Sequence, residues 1–81
     1  MPLMRAKMRV IAIQPYADGS EHLTLEAVCK NEPYDENGSD EDNTFAKFTP
    51  SANLTMLVNN PNLKEVINVD DTFYVDFTRV D

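Results

Sequence analysis

Two apolar runs in period two, separated by an Asp-Gly pair, constrain this chain more than any other feature in it. In the first, Met4, Ala6, Met8, Val10 and Ala12 share one face; Arg5, Lys7 and Arg9 take the other, followed by Ile11 and Ile13. In the second, Leu23, Leu25, Ala27 and Cys29 alternate with His22, Thr24, Glu26 and Val28. Successive side chains turn to opposite faces in a pleated strand, so the pattern predicts strands over 4–14 and 21–30. Between them, Pro15-Tyr16-Ala17-Asp18-Gly19-Ser20 holds the dipeptide that accepts the positive φ values of a tight hairpin turn.

The stretch 39–50 divides this hairpin from the rest. It begins as Ser39-Asp40-Glu41-Asp42, too charged to fold inward, and within three residues becomes Thr44-Phe45-Ala46-Lys47-Phe48, which alternates as a strand. Pro50 interrupts it, because a proline cannot donate to a ladder. Leu54, Met56 and Val58 then alternate in a further strand. Asn59-Asn60-Pro61 reads as a helix start, an Asn cap before a proline at the first helical position. Leu63, Val66 and Ile67 would share a face of a short helix that Asn68 closes. The run from Thr72 to Val80 is the last strand, and Phe73, Val75 and Phe77 on one face mark it as the expected centre of the core.

The expected fold class is therefore mainly β: a small five-stranded antiparallel barrel or sandwich, OB-like at most, with one short helix before the last strand. The 81 residues leave room for a single β domain spanning 1–81, with a mobile acidic loop at 31–43. A chain of this length hides only about 60% of the surface that its unfolded form exposes, so a surface is a more natural product than a deep cavity. No segment approaches the roughly 20 apolar residues that span a bilayer as a helix, and no membrane association is expected.

Charge and residue types then narrow the chemistry. Lys and Arg number 7 against 14 Asp and Glu, a net charge of −7. Nucleic-acid affinity needs clustered cations, so a general nucleic-acid binder is disfavoured. The one basic cluster is the strand face Arg5, Lys7, Arg9, which could meet phosphate or be neutralised by a cross-strand acid such as Glu26. The acidic loop carries Glu32, Asp35, Glu36, Asp40, Glu41 and Asp42, an exposed, self-repelling rim and the candidate partner-binding set. It does not fit an EF-hand: with Gly38 at the sixth position, Pro33 falls first and Thr44 twelfth. A calcium loop of another kind stays open. His22 and Cys29 are the only histidine and cysteine and offer no nucleophile–base pair and no zinc set. No catalytic residue, no metal site and no cofactor are expected, and the protein is read as non-enzymatic.

The segments Met4-Arg5-Ala6-Lys7-Met8, Asp40-Glu41-Asp42-Asn43-Thr44-Phe45-Ala46-Lys47-Phe48-Thr49-Pro50-Ser51-Ala52, Asn59-Asn60-Pro61 and Phe73-Tyr74-Val75-Asp76-Phe77-Thr78 resemble a set of short proteins encoded by tailed bacteriophages. The likeness covers most of the chain, and Met1-Pro2-Leu3 precede the Met4 start usual in that set. It implies a phage accessory or structural product, found in the host cytoplasm or the virion, and supplies no activity and no site residue. Three functions are compatible with these residues. The first is a virion structural or assembly component acting through protein–protein contacts with a phage structural subunit. The second is an inhibitor of a basic host protein, its acids imitating a nucleic-acid backbone. The third is a small nucleic-acid-binding barrel. An uncovered sheet edge also leaves a homo-oligomer open.

Overall fold

The computed structural model describes residues 2–30 and 32–81; Met1 and Asn31, the first residue of the expected acidic loop, lie outside the described residues. The two alternating runs form β1 (Met4–Pro15) and β2 (Glu21–Ala27), paired antiparallel. Gly19 takes φ 92° in the connecting turn. The Asp18 carboxylate closes that turn, accepting from the Ser20 amide at 2.9 Å and the Ser20 hydroxyl at 2.6 Å. β2 ends before its expected limit, so Cys29 is exposed rather than part of the apolar face.

A bulge re-phases β1. Val10 opposes Leu25 but Ala12 opposes Thr24, leaving Ile11 as the extra residue. Beyond it the faces exchange. Ala12, expected inward, is exposed, and Ile13 opposes Leu23 and packs against the core. The sequence Val10-Ile11-Ala12-Ile13 is apolar throughout, so alternation alone could not show the slip.

β3 (Asn53–Val58) pairs antiparallel with β2, and β4 (Thr72–Phe77) pairs antiparallel with β1. Among the described residues the strands number four, in the order β3-β2-β1-β4, and form a curled half-barrel. The expected fifth strand, Thr44–Phe48, is a series of turns. Its backbone makes local bonds such as Ala46 N to Asn43 O at 3.2 Å, and Phe48, at φ 58°, leaves the extended region altogether.

The buried apolar residues are Ala6, Met8, Val10, Leu23 and Leu25, all on the two central strands. This corrects the expectation that the last strand centres the core. β4 is an edge, with Phe73 41% and Phe77 46% exposed, and only Val75 of its apolar face packs against the central cluster. Periodicity reports which face a residue takes, not where its strand lies in the sheet.

The expected helix shrinks to one 3-10 turn, Pro61–Leu63. Its cap forms as read, with Asn60 Oδ1 accepting from the Asn62 amide at 3.0 Å. Lys64 then turns extended and Glu65 takes φ 62°, ending the helix well before Asn68. Leu63 and Val66 are exposed, and Ile67 alone reaches the core. No helix covers the sheet among the described residues, and the molecule measures 49 × 33 × 16 Å. Its radius of gyration, 14.6 Å, exceeds the roughly 12 Å of a compact chain of this length.

These positions rank the cost of truncation. Leu25→Ala is expected to lower the unfolding free energy by about 2–5 kcal/mol, as for a fully buried leucine. Phe77→Ala is expected to cost clearly less, because nearly half of that ring is already in water. Urea unfolding of the two variants checks the order; equal losses would return β4 to the centre of the core.

Candidate interaction surface

The outer face of the sheet begins with the basic row, and each of its cations has an acid. Arg5 grips Asp76 on β4 with two bonds, Nε to Oδ1 at 2.6 Å and Nη2 to Oδ2 at 3.1 Å. Lys7 Nζ lies 3.4 Å from Asp42 Oδ2, and Arg9 Nη2 lies 3.8 Å from Glu26 Oε1, the cross-strand acid expected from the sequence. Tyr74 binds into the same group: the Arg5 guanidinium sits 4.3 Å above its ring, and its hydroxyl donates to Asp42 Oδ1 at 2.9 Å. The bond to Asp42 raises the Tyr74 pKa, and the Arg5 bond lowers that of Asp76.

The acidic loop folds back over this face. Beyond Met8 toward the start of β1, β2 has ended, so the Arg5 and Lys7 amides on that side have no strand to meet. Side chains meet them instead. Lys7 N donates to Asn43 Oδ1 at 2.8 Å, and Arg5 N donates to Thr44 Oγ1 at 2.7 Å. The Asn43 amide nitrogen donates to Val28 O at 2.7 Å and to Asp40 Oδ2 at 3.1 Å. Asn43 is fully buried, and its bonds to Lys7 N and Val28 O use a side chain where a strand would have used backbone. This is why a stretch with strand periodicity sits beside β1 without a ladder.

The expected exposed rim is corrected at Asp40, which is 4% exposed. Burial, the largest influence on it, pushes its pKa up, but bonds from the Asn43 side chain and from the amides of Asp42, Lys30 and Asn43 hold it below the ordinary value. Asp42 is half-buried against Lys7, and Glu41 lies 3.6 Å from Lys30. Asp35 accepts from the amides of Asn37 and Ser39 at 2.9 and 3.1 Å, with the Ser39 amide chiefly responsible for its lowered pKa. Glu32, Asp35 and Glu36 are exposed and join no ion pair among the described residues. Gly38 anchors the loop's far side at φ 72°, close under the Phe48 ring, where an added Cβ would come within 2.5 Å of that ring. No three acidic, histidine or cysteine side chains converge as a metal site would require, among the described residues.

The inner face is different in kind. With no fifth strand and no covering helix among the described residues, the curl of the sheet leaves an apolar trough between β3 and β4. One part, of about 400 Å³, is lined by Leu23, Leu25, Leu54, Met56, Ile67 and Phe73. The other, of about 220 Å³, is lined by Met4, Met8, Phe45, Ala52 and Phe77. Leu54 and Val75 border both, so the two parts run together. Met56 and Phe77 are each 46% exposed. The sequence reading sets Phe73, Val75 and Phe77 at the centre of a core, so it does not mark this side of the sheet as an open surface. The signal it lacked was the absence of a covering layer. No protein-family model, curated protein or solved structure matches the chain.

Two outcomes test how the loop is held. Asn43→Ala leaves Lys7 N and Val28 O without partners and should destabilise the protein by about 2–4 kcal/mol in urea unfolding. Asn43→Asp should also destabilise it, because it cannot donate to Val28 O and sets a second carboxylate beside Asp40. Acid titration tests the carboxylates. Asp35, Asp40 and Asp76 have lowered pKa values in the fold, so their stabilisation is full above the unfolded value near 4 and is lost as pH falls through the folded values. Stability from these groups should therefore be level from pH 7 to about 5 and fall below about 4, with Asp40→Asn reducing that fall.

Proposed function

We propose that the protein is a non-enzymatic phage accessory protein, acting by protein–protein contact as a component of the virion or of its assembly. The observation that carries this reading is the open trough between two edge strands, β3 and β4, neither of which has an outer neighbour among the described residues. A free edge offers backbone donors and acceptors in a row, and the trough offers pockets for alternate side chains, the two elements by which one chain adds a strand to another. The phage setting rests on the resemblance of the sequence segments, not on the fold.

A second reading is supported by the charge. Because Arg5, Lys7 and Arg9 each face an acid, the surplus negative charge stays on other surfaces, including exposed Glu32, Asp35 and Glu36. That distribution suits a basic host protein as partner, with encounter accelerated by charge. The same pairing weighs against the nucleic-acid reading, since phosphate would have to displace carboxylates already 2.6–3.8 Å from the cations.

The deciding measurement is quantitative mass spectrometry of purified phage particles from an infected culture. Stoichiometric copies support a virion component, and copies in assembly intermediates alone support an assembly factor. Absence from both overturns the first reading. Capture of a basic host protein that weakens steeply with salt would then favour the second.

A further inference from the structure

We infer that the β4 edge is a self-complementary interface, through which two copies of this chain join their sheets in antiparallel register with Val75 opposite Val75. This rests on the reading that the protein works by protein contact and names one partner for it. The phase of the β1–β4 ladder sets which groups are free. Val10 N donates to Asp71 O at 2.8 Å and Leu3 N to Phe77 O at 2.6 Å, so residues 71 and 77 turn their backbone groups toward β1. Backbone direction alternates along a strand, so Val75 and Phe73 face β1 as well, and Thr72, Tyr74 and Asp76 aim theirs at the open edge. In the Val75-centred register, Tyr74 of each copy exchanges both backbone bonds with Asp76 of the other.

The side chains agree with that register. Phe73-Tyr74-Val75-Asp76-Phe77 has the same polarity read from either end, so Phe73 meets the other copy's Phe77 on the trough side and Tyr74 meets Asp76 on the outer side. Charge selects it over its neighbours. Asp71 just before β4 falls opposite the other copy's Arg79 just after it, and Arg79 has no ion pair among the described residues. Sliding the pairing by two residues one way sets Asp71 against Phe77; the other way sets Asp76 against Asp76. Asp76, the only charge within β4, is already balanced by Arg5 at 2.6 Å, so the edge is locally neutral despite the net charge of −7.

β4 also lacks several usual guards of an edge: it has no proline, glycine or lysine, its register with β1 is unbroken, and its one charge, Asp76, is paired with Arg5. β3 has no charged residue within or immediately beside it to choose a register. Phe73, Tyr74 and Phe77, at 41%, 55% and 46% exposed, leave on the order of 300 Å² per copy to bury. Stable complexes bury about 800 Å² per partner, so the pairing is weak and depends on concentration.

Sedimentation of the purified chain between roughly 10 μM and 1 mM should show monomer passing into dimer, a range set by so small a buried area. Over the same range, amide exchange at Tyr74 and Asp76 should slow while exchange along β3 stays constant. In a mixed isotope-labelled sample, methyl contacts should appear between Val75 of the two copies. Arg79→Glu should weaken the dimer several-fold, and the double exchange Asp71→Arg, Arg79→Glu should recover it. A monomer at 1 mM, or a dimer that protects β3 instead, overturns the proposal; either result leaves the particle measurement, and the reading it tests, untouched.

Discussion

The side-chain amide of Asn43 does what a backbone would do in a larger sheet. It accepts from β1 at Lys7 and donates to the chain leaving β2 at Val28, filling the gap where the two strands part. Buried amide hydrogens and carbonyls must find partners, and Asn43 itself is fully buried. Once Asn43 is set there, the surrounding residues have little freedom. Asp40 is drawn in to receive its second amide hydrogen, Thr44 is placed over Arg5, and Phe45 is delivered to the edge of the core. The acidic loop is thus tied to the basic row by the same residue that completes the sheet.

This arrangement also reconciles a basic strand with an acidic protein. Arg5, Lys7 and Arg9 stand in one row on a central strand, where like charges two residues apart would repel if left unmatched. The acids come from three directions: Asp76 from β4, Asp42 from the loop and Glu26 from β2. The Arg5 and Arg9 pairs are exposed enough to contribute little each to stability, while the Lys7–Asp42 pair is partly buried. Their effect is on what the face can recognise, because a matched row presents alternating charge, not a cationic track.

How far the sequence spoke for the fold can be judged residue by residue. The hairpin was legible because Met4–Val10 and Leu23–Leu25 alternate cleanly around Asp18-Gly19, and the Asn60 cap was legible from Asn-Pro. The bulge at Ile11 was not, since four apolar residues in succession carry no phase. Thr44–Phe48 alternates as a strand does, yet Asn43 already meets the backbone bonds a strand there would make. Phe73 and Phe77 look central in the sequence because bulk and alternation describe a face, while an edge position depends on what the rest of the chain fails to supply. For the surface, the residues Arg5, Lys7, Arg9 and the acids were visible as a list. Their mutual pairing needed contacts spanning up to 71 positions along the chain.

The strand order has a consequence for synthesis. β1 occupies the middle of the sheet, but its neighbour on one side, β4, comes after every other described strand in the chain, with Met4 beside Phe77. While the chain leaves the ribosome, β1 and β2 can close as a hairpin early, a local event. The other flank of β1 must wait until residues 72–77 emerge, so its backbone donors and acceptors on that side stay unpaired while everything between is made. Arg5, Lys7 and Arg9 stand along the same strand, so pairing two nascent chains there before Asp42 and Asp76 are made would set like charges close together, which disfavours it.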